Sequence, residues 1–367
     1  MGKNKAKVSK KPFVSVCTPT FNRRPFFQMA IKCFEHQTYP RELMEWIIVD
    51  DGTDKIEDLV AHLPYVKYFK FDEKVTLGKK RNFTNEKATG DIIVYMDDDD
   101  YYPPERVKHA VDTLKDSKAL CAGSSAMFIH FKHINKMYQF GPYGPNHATA
   151  ATFAFKKELL LKTRFDENSS VAEEKKFLKD YTIPFVQLES MKTILVFSHN
   201  QNSFDKKELL KNMPNPHIHD TSLTPRDFVK EEDILKFFME DIDTILDNYS
   251  PGKPENKPDV TKQLNEMKIA RENKMQEMMK QQQNYNDVIS KLTMVNNPQA
   301  SQQKLNEQSV LIQQLILENS KLKHEVDYLN NKIKQLITLQ LEKRKEEKSK
   351  EEKRIELVNN EPRINIV

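Results

Sequence analysis

Four consecutive aspartates, Asp97 to Asp100, directly follow the apolar run 92–96, and no other junction constrains the chain so tightly. Five apolar residues bounded by polar ones read as a buried strand. Four carboxylates presented at a strand end repel one another and titrate abnormally unless a cation neutralises them. A hard divalent ion with oxygen ligands, Mg²⁺ or Mn²⁺, answers that need and would bridge to substrate phosphates. An acidic loop on a solvated surface would not need so strong a strand before it.

The same pattern recurs upstream. Residues 13–17 and 46–49 read as strands with an amphipathic segment, 25–37, between them. A third strand is predicted at 66–69, and a helical stretch at 78–88 leads into the strand at 92–96. The strands ending at Cys17, Val49 and Met96 are each followed at once by polar residues. That βαβα order predicts an α/β fold with an open, mostly parallel sheet and flanking helices, its ligands bound outside the carboxyl ends of the strands. Residues 152–155, 185–188 and 194–198 are expected to form an appended mixed sheet.

The chain has 367 residues, 38% hydrophobic and 31% charged, and the imbalance is uneven. The expected divisions are a basic disordered leader at 1–12, a catalytic domain at 13–212, and a helical patch with a Pro-rich linker at 213–258. A helix follows at 259–297, then a coiled coil and charged tail at 303–354. With Leu305 at position a, the a-series is Leu305, Ile312, Asn319, Val326, Ile333 and Gln340, and the d-series is Gln308, Leu315, Leu322, Leu329 and Leu336. β-Branched residues at a, Leu at d and one Asn at a are what two parallel strands prefer, so a homodimer through this segment is expected. The tail is expected to take no part in catalysis.

A net charge of +4 gives no case for nucleic-acid binding. No apolar run approaches about 18 residues and no apolar segment follows Met1, so neither a membrane span nor a signal peptide is expected. The location expected is cytoplasmic. Cys17, Cys33 and Cys121 lack metal-ligand spacing and read as reduced core residues.

Three further groups sit at the predicted edge. Asp50 and Asp51, before Gly52, can accept hydrogen bonds from a base or ribose, or can simply make an Asp-Gly turn. Thr18, Pro19, Thr20 and Phe21 could offer backbone groups and an aromatic face to a nucleobase. Lys79, Lys80 and Arg81 place cations at a helix start, suited to phosphate oxygens.

Together these blocks resemble the GT-A catalytic domain of the family-2 inverting glycosyltransferases. The likeness runs from Val14-Ser15-Val16-Cys17-Thr18-Pro19-Thr20-Phe21-Asn22-Arg23 through Ile48-Val49-Asp50-Asp51-Gly52-Thr53 and Gly78 to Asn82. It continues from Gly90 to Asp100, with Pro104 at the family's offset, and covers residues 13–210. In overall look the chain is most like glycosyltransferases of giant DNA viruses, for which host cytoplasm or virion would be the location.

The resemblance implies a nucleotide-sugar donor, a UDP-sugar, and a glycan, protein or other hydroxyl acceptor. It implies that Asp51 binds the base with Phe21 near it, that Arg81 lies close to the diphosphate, and that Asp97 or Asp98 sits near the ribose. Asp99 and Asp97, completed by His199, would hold Mn²⁺ or Mg²⁺. Glu174, in Glu173-Glu174-Lys175-Lys176-Phe177, stands where the family carries its catalytic base, commonly an Asp. Residues 130–152 are expected to wall the acceptor side. Two rival readings are a nucleotidyltransferase, which usually needs a Gly-rich loop that 18–24 lacks, and a structural protein with an inactive transferase-like head.

Overall fold

The computed structural model describes residues 11–293, and the coiled coil expected over 303–354 lies outside the described residues. Two compact units divide at Asn273 and Lys274. The first unit is built on a seven-stranded sheet in the order β3-β2-β1-β4-β8-β5-β9. Its strands are β1 (Val14–Thr20), β2 (Met44–Asp50), β3 (Val66–Lys70), β4 (Ile92–Tyr95), β5 (Cys121–Gly123), β8 (Ala154–Lys156) and β9 (Phe185–Gln187). A second sheet, in the order β10-β6-β7-β11, joins β6 (Met127–Phe131), β7 (Lys136–Phe140), β10 (Leu195–Ser198) and β11 (Ile218–Asp220).

β1 pairs in parallel with both β2 and β4, and β2 with β3, as the apolar runs predict. β1 and β2 are buried along their whole length, which is why they read as near-continuous apolar runs. Alternate residues serve opposite cores. Val14, Val16, Trp46, Ile48 and Val94 join one cluster, and Cys17, Ile47, Val49, Ile93 and Tyr95 the other. The three cysteines are free and buried, as expected.

Helix α1 (Phe27–Glu35) buries Phe27, Ala30, Cys33 and Phe34 on the first face, and Phe34 stacks on Trp46 at 4.9 Å. A short α2 (Glu57–Val60) precedes β3, and α3 (Leu77–Lys87) leads into β4. α3 is unusual, because Lys80, Arg81, Asn82 and Asn85 are among its buried residues. Gly78 in its first turn lets the helix approach the 165–170 loop, since a Cβ there would lie 1.8 Å from the Asp166 carbonyl oxygen. Beyond β4, α4 (Arg106–Lys115) packs Val107, Ala110, Val111 and Leu114 on the first face. A one-turn α5 (Glu174–Phe177) is anchored by Phe177, which stacks on Phe165 at 4.2 Å.

The appended sheet differs from expectation. Residues 154–156 and 185–187 extend the main sheet, and only the 195–198 strand enters the second one. The short strands missed there, β6, β7 and β11, mix His, Lys and Gln into their apolar residues and carry no clean period.

Residues 213–258, expected as a helical patch and linker, are also more than that. They hold α6 (Pro225–Phe228), α7 (Glu232–Lys236), a π-turn at Phe237–Asp241 and α8 (Ile242–Asp247). The π-turn's extra residue turns both Phe237 and Phe238 inward, and Phe238 lies flat on Phe197 with ring centroids 4.3 Å apart. Phe228, Ile234, Leu235 and Leu246 bury in the same cluster as β1. The last element, α9 (Pro258–Thr293), crosses the boundary between the two units. No helix among the described residues is long and apolar enough to cross a membrane.

Phe238→Ala should therefore lower the unfolding free energy by about 3–5 kcal/mol, read by urea denaturation of the full chain. Leu161→Ala, at a side chain exposed to 90%, should change it by less than about 0.5 kcal/mol. Equal effects would mean that the 225–247 segment is not core.

Candidate active site

Strand register gathers the site. Thr20 pairs with Asp50, and Cys17 with Tyr95, so the residues following β1, β2 and β4 emerge at one edge. Asn22 turns the first of these loops at a left-handed φ of 51°, a conformation that Asn tolerates better than most residues. Its Oδ1 accepts from the Asp54 amide (2.9 Å), and its Nδ2 donates to the Pro251 carbonyl (2.9 Å), tying the first loop to the second and to a far part of the chain.

A cavity of about 130 Å³ opens at this edge. Of the residues singled out in the sequence, Pro19, Phe21, Arg81, Asp97, Asp98 and Asp99 line it. Arg23, Lys74, Lys80, Ser170, Lys257 and Asp259 also line it. The Lys74 and Lys80 ammonium groups lie 5.1 and 5.9 Å from the centre of the Phe21 ring, so the aromatic face is flanked by positive charge.

The aspartates are divided by their partners. Arg23 reaches Asp99 Oδ2 at 3.0 Å and Asp98 Oδ1 at 3.6 Å, and its Nη1 donates to the Gln201 carbonyl (2.8 Å). Burial works against the Asp99 charge, but Arg23 and then His199 outweigh it and hold that carboxyl well below the usual range. Burial, reinforced by the Asp99 charge, pushes Asp98 up to about 7. The same two causes raise Asp100 well above the usual range. One carboxylate is thus kept ionised at its neighbours' expense.

His199 Nε2 stands 3.3 Å from Asp99 Oδ2, under the Phe26 ring. Burial pushes its ring down to about 4, so it is neutral. The Gln201 amide approaches Nδ1 (3.2 Å) and the Asn202 side-chain amide approaches Nε2 (2.7 Å). A neutral ring accepts at one nitrogen only, so these donors compete, and the winner sets the tautomer. A metal at Nε2 would need that lone pair and would displace Asn202.

Asp97 Oδ1 and Asp98 Oδ2 are buried with no hydrogen-bond partner among the described residues, although Arg81 Nη2 lies 3.5 Å from the former. Orphaned carboxylate oxygens beside an ionised Asp99 suit an oxygen-seeking divalent cation. Among the described residues no set of three metal-ligating side chains is preassembled. Such an ion would draw its remaining ligands from phosphate and water, as Mg²⁺ commonly does.

Other expected residues stand behind the cavity. Thr18 is core, since its hydroxyl donates to the Met96 carbonyl (2.6 Å) and accepts from Trp46 Nε1 (2.8 Å). Thr20 is buried, and its hydroxyl has no hydrogen-bond partner among the described residues. Asp51 is paired with Lys80 and accepts from the Val75 amide (2.8 Å), so Lys80 stands between it and the cavity. Asp50 accepts from the Gly52 and Ile56 amides and the Tyr68 hydroxyl, and it shapes the turn.

The acidic pair is split as well. Glu173 takes the Arg81 Nε donor at 2.7 Å, and both side chains are buried. Arg81 therefore bridges Glu173 and Asp97 in place of standing free. Glu174 makes no ion pair among the described residues, and burial plus the Glu173 charge push it up to about 7. Ala172, immediately before the pair, is held at a left-handed φ of 54°. An Ala there costs about 1–2 kcal/mol, a strain typical of functional loops.

Sequence reasoning missed Arg23, Lys74, Ser170, Lys257 and Asp259. Arg23 adjoins motif residues and could have been found by asking what neutralises four aspartates. Lys257 and Asp259 lie in Pro-rich polar sequence with no local signal.

An open, mostly parallel sheet with flanking helices, its cations and carboxylates crowded at the carboxyl edge, is a fold of the GT-A class. Residues 15–179 match the Glycosyl transferase family 2 model, and this part of the chain is a family-2 glycosyltransferase domain. Over 110 residues it is 32% identical to the GalNAc(5)-diNAcBac-PP-undecaprenol beta-1,3-glucosyltransferase of Campylobacter jejuni, covering 28% of this chain and 33% of that one. It is 26% identical over 126 residues to the poly(ribitol-phosphate) beta-N-acetylglucosaminyltransferase TarS of Staphylococcus aureus, covering 33% of this chain and 21% of that one. Among solved structures, the mannosyltransferase PcManGT of Pyrobaculum calidifontis, in complex with GDP-Man and Mn²⁺, matches at 19% identity and a TM-score of 0.42, covering 51% of this chain and 57% of that one. The chain spans less than half the length of the curated relatives it matches. Both relatives named here are bacterial, and the likeness to giant-virus enzymes is not carried by them.

Glu173→Gln should destabilise the fold by about 3–5 kcal/mol, because it leaves Arg81 buried without its closest partner. Chemical denaturation reads this directly. A change under about 1 kcal/mol would show that Arg81 does not depend on Glu173.

Proposed function

We propose that the chain transfers a sugar from a nucleotide-diphosphate sugar, a UDP-sugar, to an acceptor hydroxyl with inversion at the anomeric carbon. The observation that carries this reading is the separation of the two acidic groups by environment. Asp99 is held ionised beside the cavity, while Glu174 is unpaired and raised to about 7, where a general base works best.

The base and ribose would lie against Pro19 and Phe21, and the diphosphate among Lys74, Lys80 and Arg81, all of which line the cavity. Asp99, with His199 and Asp97, would hold Mn²⁺ or Mg²⁺, which neutralises charge on a leaving diphosphate. Glu174 takes the acceptor's proton as its oxygen attacks C1 from the face opposite the diphosphate. The C1–O bond breaks, and its electron pair leaves with the nucleotide.

On the acceptor side, Tyr143, His147 and Tyr181 form a chain of rings spaced 4.9 and 5.1 Å, with Tyr181 near enough to feel the Glu174 charge. Such a row suits the apolar face of a sugar ring and supports the expectation that residues 130–152 wall this side. A parallel homodimer through 303–354 belongs to the same reading on its heptads alone.

Glu174→Gln should reduce transfer by about 10²–10⁴-fold while leaving donor affinity nearly intact. The active form of a base is the carboxylate, so kcat/KM should fall as pH drops through about 7, and the Gln variant should lose that limb. A full pH profile in Glu174→Gln would move the role elsewhere.

UDP binding, read by calorimetry, should weaken by more than tenfold in excess EDTA. Asp99→Asn should abolish both the metal response and transfer. Equal affinity with and without EDTA would remove the metal from the reading.

A further inference from the structure

The cavity is closed from a part of the chain that lies outside the family-matched residues. Lys257, Asp259 and Val260 line it from the start of α9, nearly 80 residues beyond position 179. Lys257 is 3% exposed, and its Nζ donates to the Gln201 carbonyl at 3.0 Å, the oxygen that Arg23 also uses. It makes no ion pair among the described residues. An ammonium carries three donors, and a buried one without an anion is costly. Burial, with Arg23 beside it, pushes Lys257 down to about 6, so the cavity strips it of charge that an anion would restore.

The same segment is clasped to the cavity rim. Lys74 Nζ meets both Asp259 oxygens at 2.6 Å, and the Ser170 hydroxyl donates to Asp259 Oδ2 (2.5 Å). Gln263 accepts from the Ser170 amide (2.8 Å) and donates to the Asn168 carbonyl (2.7 Å). These contacts are polar and partly exposed, whereas the opposite wall is the buried end of the sheet. At about 130 Å³ the cavity is well below the roughly 300–1,000 Å³ of small-ligand pockets. The cavity as it stands is too small to enclose a nucleoside diphosphate, and the clasp is a polar, partly exposed wall that can part.

We propose that Lys257 binds the donor's diphosphate, delivered by the start of α9 as a lid that the Lys74–Asp259 clasp holds shut. This rests on the nucleotide-sugar reading above. The lid opens by parting Asp259 from Lys74 and Ser170, and on closing it brings Lys257 onto the phosphates.

The test uses the full chain with Mn²⁺ and UDP, with GDP as a second probe and uridine as the phosphate-free control. Lys257→Met should weaken nucleoside-diphosphate binding by about 10- to 100-fold, leave uridine binding unchanged, and be largely rescued by Lys257→Arg. Asp259→Asn should raise both association and dissociation rates of UDP several-fold in stopped-flow. If wild type binds neither UDP nor GDP, the nucleotide-sugar reading itself falls. If wild type binds and Lys257→Met binds equally well, Lys257 is not a phosphate ligand and this inference alone fails. Unchanged rates in Asp259→Asn would overturn the lid. Loss of uridine binding together with UDP binding in Lys257→Met would mean that the residue holds up the fold, and would overturn the inference as well.

Discussion

The Arg23 guanidinium, wedged between Asp98 and Asp99, is the contact on which the rest of the site depends. Four carboxylates at the end of β4 would drive the loop into water if nothing met their charge. Arg23 fixes one of them as an anion, and its own position is set by the turn at Asn22 and by the Gln201 carbonyl. The 199–202 loop is in turn pinned from beyond it, because the Gln201 side-chain amide donates to the carbonyls of Leu246 and Tyr249. The acidic motif is therefore held by residues drawn from three distant parts of the chain, and the helices that bury Phe228 and Phe238 are part of its support.

α3 shows the same economy. A helix that buries Lys80, Arg81, Asn82 and Asn85 is poor material for a core. Each of these side chains has a defined use. Lys80 meets Asp51, Arg81 meets Glu173, Asn82 fixes the Phe165 backbone, and Asn85 accepts from the Tyr95 hydroxyl. The helix works as a rack of polar anchors between the β2 loop, the acidic motif and the loop that carries Glu174. Its stability comes from pairing every buried charge it carries, not from an apolar stripe.

The central strands were legible because a parallel sheet covered on both faces demands unbroken apolar runs, and 92–96 followed by Asp97 is such a run. The edge on which the motifs converge followed from strand order. Roles within the edge were less legible. Nothing local distinguishes Thr18, whose hydroxyl is taken by Trp46 and Met96, from Pro19, which lines the cavity. Glu173 and Glu174 are adjacent and chemically alike, and only Arg81, some ninety residues away, separates them. Partners at such separations leave no trace in local pattern.

The 213–258 segment, expected as a helical patch and linker, packs into the first compact unit for one physical reason. A polar, proline-punctuated segment looks like a linker when its partners are distant. Here Pro251 accepts from Asn22, Lys257 reaches Gln201, and Asp259 closes on Lys74. Each contact joins a residue beyond 250 to a loop at the carboxyl edge of the sheet, and the first compact unit runs to Asn273. The family-matched residues, 15–179, supply the acidic motif and the unpaired Glu174, but they do not enclose the cavity. Enclosure comes from the start of α9, so the smallest part of this chain with the complete cavity extends well past the residues in which the family is recognisable.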